Sequence, residues 1–380
     1  MAFLSLCTVS FRNLKNTTVN TASKDIFLVG ENGQGKTNFL EALYFCSYAC
    51  SFRGVRDADM ARSGESDFSS AATFGRLKNE TSQYDFLSNQ ISVKIEKSKK
   101  TITCDGKKIL DRKELLSAVS VVVFCHEDME FISGSQERRR WFFDQTQSLY
   151  DPVYLDDLRK FRHVLKTRNT VLKDAKWSGE SGEISKLLDV LDPQLAEYGQ
   201  HLMEKRKIAA EQFSRVFSPL YREVSGIDGI RVSYVPSWKT GASQTEGRDL
   251  IITHLAERRP ADLAYGITLS GPHRDKYHYV QKERAVQFSD NASTGQQRLL
   301  ALLLRVAQAR SFSDYTGKIP VLLLDDVLLE LDGEKRRRFL SVLPEYEQAF
   351  FTFLPEEPYT SYSKSDTLVY NVRDGVIGNF

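Results

Sequence analysis

Eight residues constrain this chain more than any others: Gly30-Glu31-Asn32-Gly33-Gln34-Gly35-Lys36-Thr37, which fit the pattern GxxxxGK[ST] at every fixed position. A short apolar run, Asp25-Ile26-Phe27-Leu28-Val29, precedes them, and a helical stretch, Asn38-Phe39-Leu40-Glu41-Ala42-Leu43, follows. In a strand–loop–helix unit of this kind, backbone N–H groups curl round a phosphate and the helix N-terminus adds its dipole. Lys36 then reaches the β and γ phosphates of ATP, and Thr37 binds Mg²⁺. The competing reading is a glycine-rich turn that matches by chance; a strand and a helix on the correct sides weigh against it.

A second element lies near the other end of the chain. Val321-Leu322-Leu323-Leu324 is apolar and stops at Asp325-Asp326, a Walker B pattern. Asp325 is the expected Mg²⁺ partner and Asp326 the residue that polarises the attacking water. Acid pairs at strand ends are common, so this pattern gains its weight from the P-loop upstream. A third element, Ser293-Thr294-Gly295-Gln296-Gln297, opens a strong helix beginning Arg298-Leu299-Leu300. It offers a serine hydroxyl, a glycine-opened backbone and a helix N-terminus, which together make a second phosphate-binding device. One P-loop already encloses one triphosphate, so the second device is explained if it caps the γ-phosphate held by a partner copy. The bland alternative is an ordinary helix with Ser293 as its N-cap.

Composition sets the frame. At 380 residues, with 41% apolar and 27% charged residues, the chain has the makings of a globular protein with more than one domain. No apolar run reaches the roughly 20 residues that span a bilayer. The apolar start, Met1 to Val9, lacks a basic leader and reads as a first strand, so a cytoplasmic location is expected. Five scattered cysteines (7, 46, 50, 104 and 125) have no CxxC spacing and read as free thiols. Net charge is only +2, but residues 137–176 hold ten basic side chains against six acidic ones. Arg138, Arg139, Arg140, Arg159 and Lys160 are the candidates there for binding a nucleic-acid backbone. A solvated helix face is the plain alternative.

Apolar runs at both ends predict strands covered on two faces, including residues 119–124. Alternation over residues 91–96 and an Asp105-Gly106 turn predict an antiparallel meander with one wet face. In the middle, Leu155, Leu158, Phe161, Leu165 and Leu172 form one stripe of an amphipathic helix. A polar linker over residues 177–183 follows, and Asp192-Pro193 reads as the N-cap and first turn of a second helix running to about Val224.

Walker A, then Ser-x-Gly-Gln, then Walker B about 25 residues later resembles the ABC-type ATPases of the SMC group, and within it the RecF family of bacterial recombination mediators. Other stretches carry the likeness in the same order: Ser51-Phe52-Arg53, Glu127-Asp128, Leu165-Lys166-Thr167-Arg168-Asn169, Asp192-Pro193-Gln194-Leu195-Ala196, Gly271-Pro272-His273-Arg274-Asp275 and Glu330-Leu331-Asp332. The resemblance implies an α/β ABC-type ATPase head, with a P-loop, a mixed sheet and an antiparallel β subdomain, interrupted by a helical lobe. The expected divisions are 1–133, 134–262 and 263–380. It also implies a D-loop at Glu330-Leu331-Asp332, an ATP-dependent homodimer, slow ATP hydrolysis, and clamping of double-stranded DNA near gaps in repair, replication and recombination. RecR and RecO are the implied partners. A polar switch residue after the last core strand is missing its usual histidine; Thr352 is the candidate there. A P-loop enzyme acting on a small molecule and a transporter ATPase subunit are the alternatives. The Ser293 element and the long helical insertion argue against them.

Overall fold

The computed structural model describes residues 1–77, 88–111, 113–178, 182–239, 243–281, 288–328, 331 and 333–378. Along the chain the strands are β1 (Ala2–Val9), β2 (Thr17–Asn20), β3 (Asp25–Val29), β4 (Phe68–Gly75), β5 (Asn89–Glu96), β6 (Lys99–Cys104), β7 (Lys107–Lys108), β8 (Val121–Phe124), β9 (Ile230–Val235), β10 (Lys276–Gln281), β11 (Val321–Leu324), β12 (Gln348–Phe353), β13 (Leu368–Arg373) and β14 (Val376–Gly378). The helices are α1 (Lys36–Tyr48), α2 (Lys113–Ala118), α3 (Gln136–Ser148), α4 (Pro152–Ser178), α5 (Gly182–Ser225), α6 (Gln244–Tyr265), α7 (Phe288–Asn291), α8 (Thr294–Thr316) and α9 (Gly333–Val342). They form two compact units, one of Met1–Asp128 with Leu304–Phe380, the other of Met129–Leu303.

The first unit holds two six-stranded sheets. One runs β14-β13-β3-β12-β11-β8 and is parallel except for its edge strand β14. Every residue of β3, β8, β11 and β12 is buried, as continuous apolar runs in a parallel sheet require. The other sheet, β2-β1-β4-β5-β6-β7, is antiparallel throughout. Its β5 alternates: Ile91, Val93 and Ile95 are buried while Lys94 and Glu96 are exposed. Asp105 and Gly106 take φ of 49° and 75°, the paired left-handed conformation of a two-residue hairpin turn, and join β6 to β7. Helix α1 packs on strands of both sheets and is buried nearly all round, which suits its lack of a polar face.

The second unit is built on α4, α5 and α6. Tyr154, Leu158, Phe161 and Val164 pack with Leu195, Leu202, Met203, Trp238, Ile251 and Leu255. Here one local expectation fails. Asp192-Pro193 does not open a helix, because α5 already starts at Gly182 and continues through Pro193 and Pro219. Asp192 is instead a buried anion: it accepts from Arg168 Nε at 2.7 Å and from Arg259 Nη2 at 2.8 Å. The interior proline forfeits one helical hydrogen bond, and the buried stripe from Leu188 to Val224 holds the helix across it.

The Gly271–Asp275 stretch serves this unit structurally. Gly271 sits at φ 126° against Trp238, where a Cβ would lie 2.7 Å from the indole ring. Pro272 O and Asp275 Oδ2 both accept from Arg206, at 2.7 and 2.9 Å. Arg206 in turn grips Asp144 at 2.8 Å. Antiparallel pairing of β9 with β10 and these bonds keep residues 263–281 with the helices. The compact units change over at 128/129 and 303/304.

Candidate nucleotide site

The P-loop leaves the end of β3, at the centre of the parallel sheet, and enters α1. Three glycines are dictated by geometry. A Cβ on Gly30 would stand 2.3 Å from Val372 O. Gly33 and Gly35 have φ of 79° and 120°, conformations that side chains rarely adopt. Gly35 is the N-cap of α1 and gives it no side-chain cap, so the first-turn N–H groups are left for a ligand. Glu31, Asn32 and Gly33 are exposed, Gln34 half-buried. Lys36 is only 4% exposed; its ammonium donates to Gly30 O at 2.6 Å and Glu31 O at 3.2 Å and so is folded over the loop it serves.

Walker A and Walker B meet directly. Thr37 Oγ1 donates to Asp325 Oδ1 at 2.9 Å, joining the first turn of α1 to the end of β11. Burial pushes the Asp325 carboxyl up to about 7, reinforced by the charge of Asp326; the Thr37 bond and the Arg53 charge act the other way. A hydroxyl and a carboxylate at one point are the hard oxygen donors that Mg²⁺ prefers, and a bound divalent cation would favour the ionised acid. The residues present therefore fit the metal. Asp326 is half-buried with φ 50°; its N–H donates to Thr352 Oγ1 at 2.7 Å, and Thr352 Oγ1 lies 2.8 Å from Asp326 Oδ1.

Several supporting contacts escaped the sequence reading. Asn13 Nδ2 donates to Gly33 O at 3.0 Å and its Oδ1 accepts from Asn38 Nδ2 at 2.7 Å. Arg12 makes a two-pronged bond to the fully buried Glu41, at 2.9 and 3.1 Å, and Ser51 also donates to Glu41. The β13–β14 turn docks on the loop: Gly375 N donates to Gln34 O at 2.9 Å and Asp374 N to Gln34 Oε1 at 2.6 Å. Asp374-Gly375 is legible as a turn, but nothing in its sequence says what the turn touches.

The remaining predicted residues fall in other places. Ser293, at the start of α8 in the second unit, is exposed, as are Thr294 and Gly295. Ser293 Oγ accepts from Gln296 N at 3.3 Å while Gln296 Oε1 accepts from Ser293 N at 2.9 Å, a reciprocal capping box. Of the D-loop residues, Leu331 is buried; Glu330 and Asp332 lie outside the described residues. Among the basic candidates, Arg139 is buried and donates to the carbonyls of Ile132 and Tyr277, and Arg140 donates to Asp275 O at 2.7 Å. Arg138 is half-buried, pairs with Glu130 and lies over the Trp141 ring. Arg159 and Lys160 are exposed on α4.

A family model described as the RecF/RecN/SMC N terminal domain matches residues 4–377. The DNA replication and repair protein RecF of Treponema pallidum (strain Nichols) is 38% identical over 367 residues, covering 97% of this chain and 98% of its own. The RecF of Clostridium perfringens (strain SM101 / Type A) is 32% identical over 380 residues, covering 99% of both. Among solved structures, the recombination mediator protein RecF with ATP, of the RecFOR pathway, superposes with a TM-score of 0.85 at 28% identity, covering 100% of this chain and 97% of its own. An SMC head bound to the C-winged helix domain of ScpA gives 0.53 at 17% identity over 99% of this chain and 96% of its own, a likeness of fold alone. With its P-loop, Walker B acids and two-sheet head in place, the chain belongs to the RecF family of SMC-like ATPases.

Proposed function

We propose that this protein binds ATP and Mg²⁺ at the Gly30–Thr37 loop and dimerises around the nucleotide. In that state it holds double-stranded DNA near gap edges during recombinational repair and replication. The observation that carries the reading is the Thr37–Asp325 bond, which brings the two halves of an ATPase site to one point. Lys36 neutralises phosphate charge, the first turn of α1 supplies backbone donors, and Thr37 with Asp325 holds the cation. The cation supplies charge neutralisation at the phosphates. Asp326 takes the proton of the attacking water. Its side chain is one methylene shorter than glutamate, consistent with slow turnover.

Ser293, exposed at the start of α8, is assigned to the γ-phosphate of the partner copy, together with the backbone of Thr294, Gly295 and Gln296. Glu330-Leu331-Asp332 is assigned to the dimer seam. Arg159 and Lys160, the two of the five basic candidates that are exposed, are assigned to a phosphate backbone. RecR and RecO are the partners that family membership suggests, and the cytoplasm the compartment. The test is gel filtration with and without ATP, and with and without a gapped duplex. ATP should shift the protein to a dimer, and the dimer should retain the duplex. A protein that stays monomeric at saturating ATP, with or without DNA, would contradict the proposal.

A further inference from the structure

Strands β11 and β12 are parallel neighbours with Leu324 opposite Phe351, so the next residue of β12, Thr352, arrives beside the acid pair that ends β11. Thr352 is 4% exposed and its hydroxyl sits in the middle of that pair. It accepts from Asp326 N at 2.7 Å. It is 2.8 Å from Asp326 Oδ1 and 3.3 Å from Asp325 Oδ1. A hydroxyl has a single hydrogen to give. Asp325 Oδ1 already receives one from Thr37, so the shorter, uncontested bond to Asp326 takes it. Asp326 is thereby fixed at both its N–H and its carboxylate.

We propose that Thr352 is a positioning residue: its hydroxyl holds the Asp326 carboxylate where it takes the proton from the attacking water. This rests on the assignment of Asp326 made above. In the step concerned, the water oxygen bonds to the γ-phosphorus and the bond from that phosphorus to the β–γ bridging oxygen breaks. That oxygen keeps the electron pair, and the water proton passes to Asp326. Thr352 gains and loses nothing.

The test compares Thr352→Val, Thr352→Ser and Asp326→Asn in the full chain. Valine copies the shape of threonine and suits a strand, but lacks the hydroxyl; serine keeps the hydroxyl and suits a strand less well. A role in strand packing alone therefore predicts that valine is the better substitute, and the proposed role predicts the reverse. Thr352→Val should lower kcat by roughly 10- to 100-fold, by analogy with the loss of a hydrogen-bond partner that orients a metal-binding side chain. Its KM, and its ATP affinity measured in EDTA, should stay at the wild-type values. The ATP-bound dimer should accumulate, as in Asp326→Asn, while Thr352→Ser turns over nearly as wild type. Normal turnover by Thr352→Val, loss of its ATP binding, or a serine variant as slow as the valine variant overturns the inference. If Asp326→Asn is slow and Thr352→Val is not, only the role of Thr352 falls; if Asp326→Asn is itself normal, the assignment of Asp326 falls with it. Should Thr352→Val not fold, Thr352→Ala replaces it in the same comparison.

Discussion

At Lys36 charge and shape can be separated. The ammonium is a compact point charge held by two carbonyls on a residue that is almost wholly buried. Arginine keeps the charge but spreads it over a planar fork too wide for that seat. Lys36→Arg should therefore cut ATP affinity or turnover by about 10-fold or more, taking one misplaced charge-assisted bond as worth at least 1.4 kcal/mol. Calorimetric ATP binding and a phosphate-release assay check it; wild-type values in both would remove Lys36 from the site. This residue was legible in the sequence because the loop has so few solutions. Glycine at φ 79° and 120°, and at a point 2.3 Å from a carbonyl, is a backbone requirement written directly in residue type. The supports at Asn13, Glu41 and Asp374 were not legible. Each acts through a neighbour distant in sequence, and no local pattern marks a side chain for such a partner.

At the scale of elements, strands were the easiest to read. β3, β8 and β11 are apolar without interruption because both faces are covered, and β5 alternates because one is not. Helix α5 shows the limit. Asp followed by Pro is the local signature of a helix start, yet a carboxylate serves equally well as a buried counter-ion, and only the tertiary structure says which. Arg168 decides it: fully buried on α4, it bonds Asp192 of α5 and Asp262 of α6, each at 2.7 Å, and Thr268 at 2.8 Å. By composition it counted as one more cation of a basic stretch. Replacing it by methionine leaves the buried Asp262 without its cation and Asp192 with Arg259 alone, which costs roughly 3–5 kcal/mol. Urea unfolding followed by helical circular dichroism should show the midpoint falling accordingly. The exposed Lys166→Met on the same helix should change stability by less than about 0.5 kcal/mol. Equal midpoints for the two variants would mean that the Arg168 bonds do not help hold the three helices together.

At the scale of the whole molecule, the chain order of motifs gave the head and its helical insertion. The point where the chain passes from one unit to the other was harder to see, because α8 runs through it without a break in pattern. That helix carries the prediction on which the dimer depends. Ser293 makes a capping box with Gln296, so its hydroxyl has a local use whether or not a partner copy ever meets it. The two roles separate by substitution. Asparagine caps a helix as well as serine does, whereas arginine forfeits the cap at a cost of about 1 kcal/mol and places a bulky cation on an exposed helix start. If Ser293 only caps, Ser293→Asn behaves as wild type, Ser293→Arg is slightly less stable, and both dimerise with ATP. If the serine docks on the γ-phosphate bound by a partner copy, Ser293→Arg still binds ATP as a monomer but neither self-associates nor retains gapped duplex. Mixing Ser293→Arg with Lys36→Arg then restores one composite site, since the first brings an intact P-loop and the second an intact serine. Light scattering with ATP reads the outcome directly. A Ser293→Arg homodimer forming as readily as the wild-type one would end the trans-capping assignment and leave Ser293 as the cap of α8.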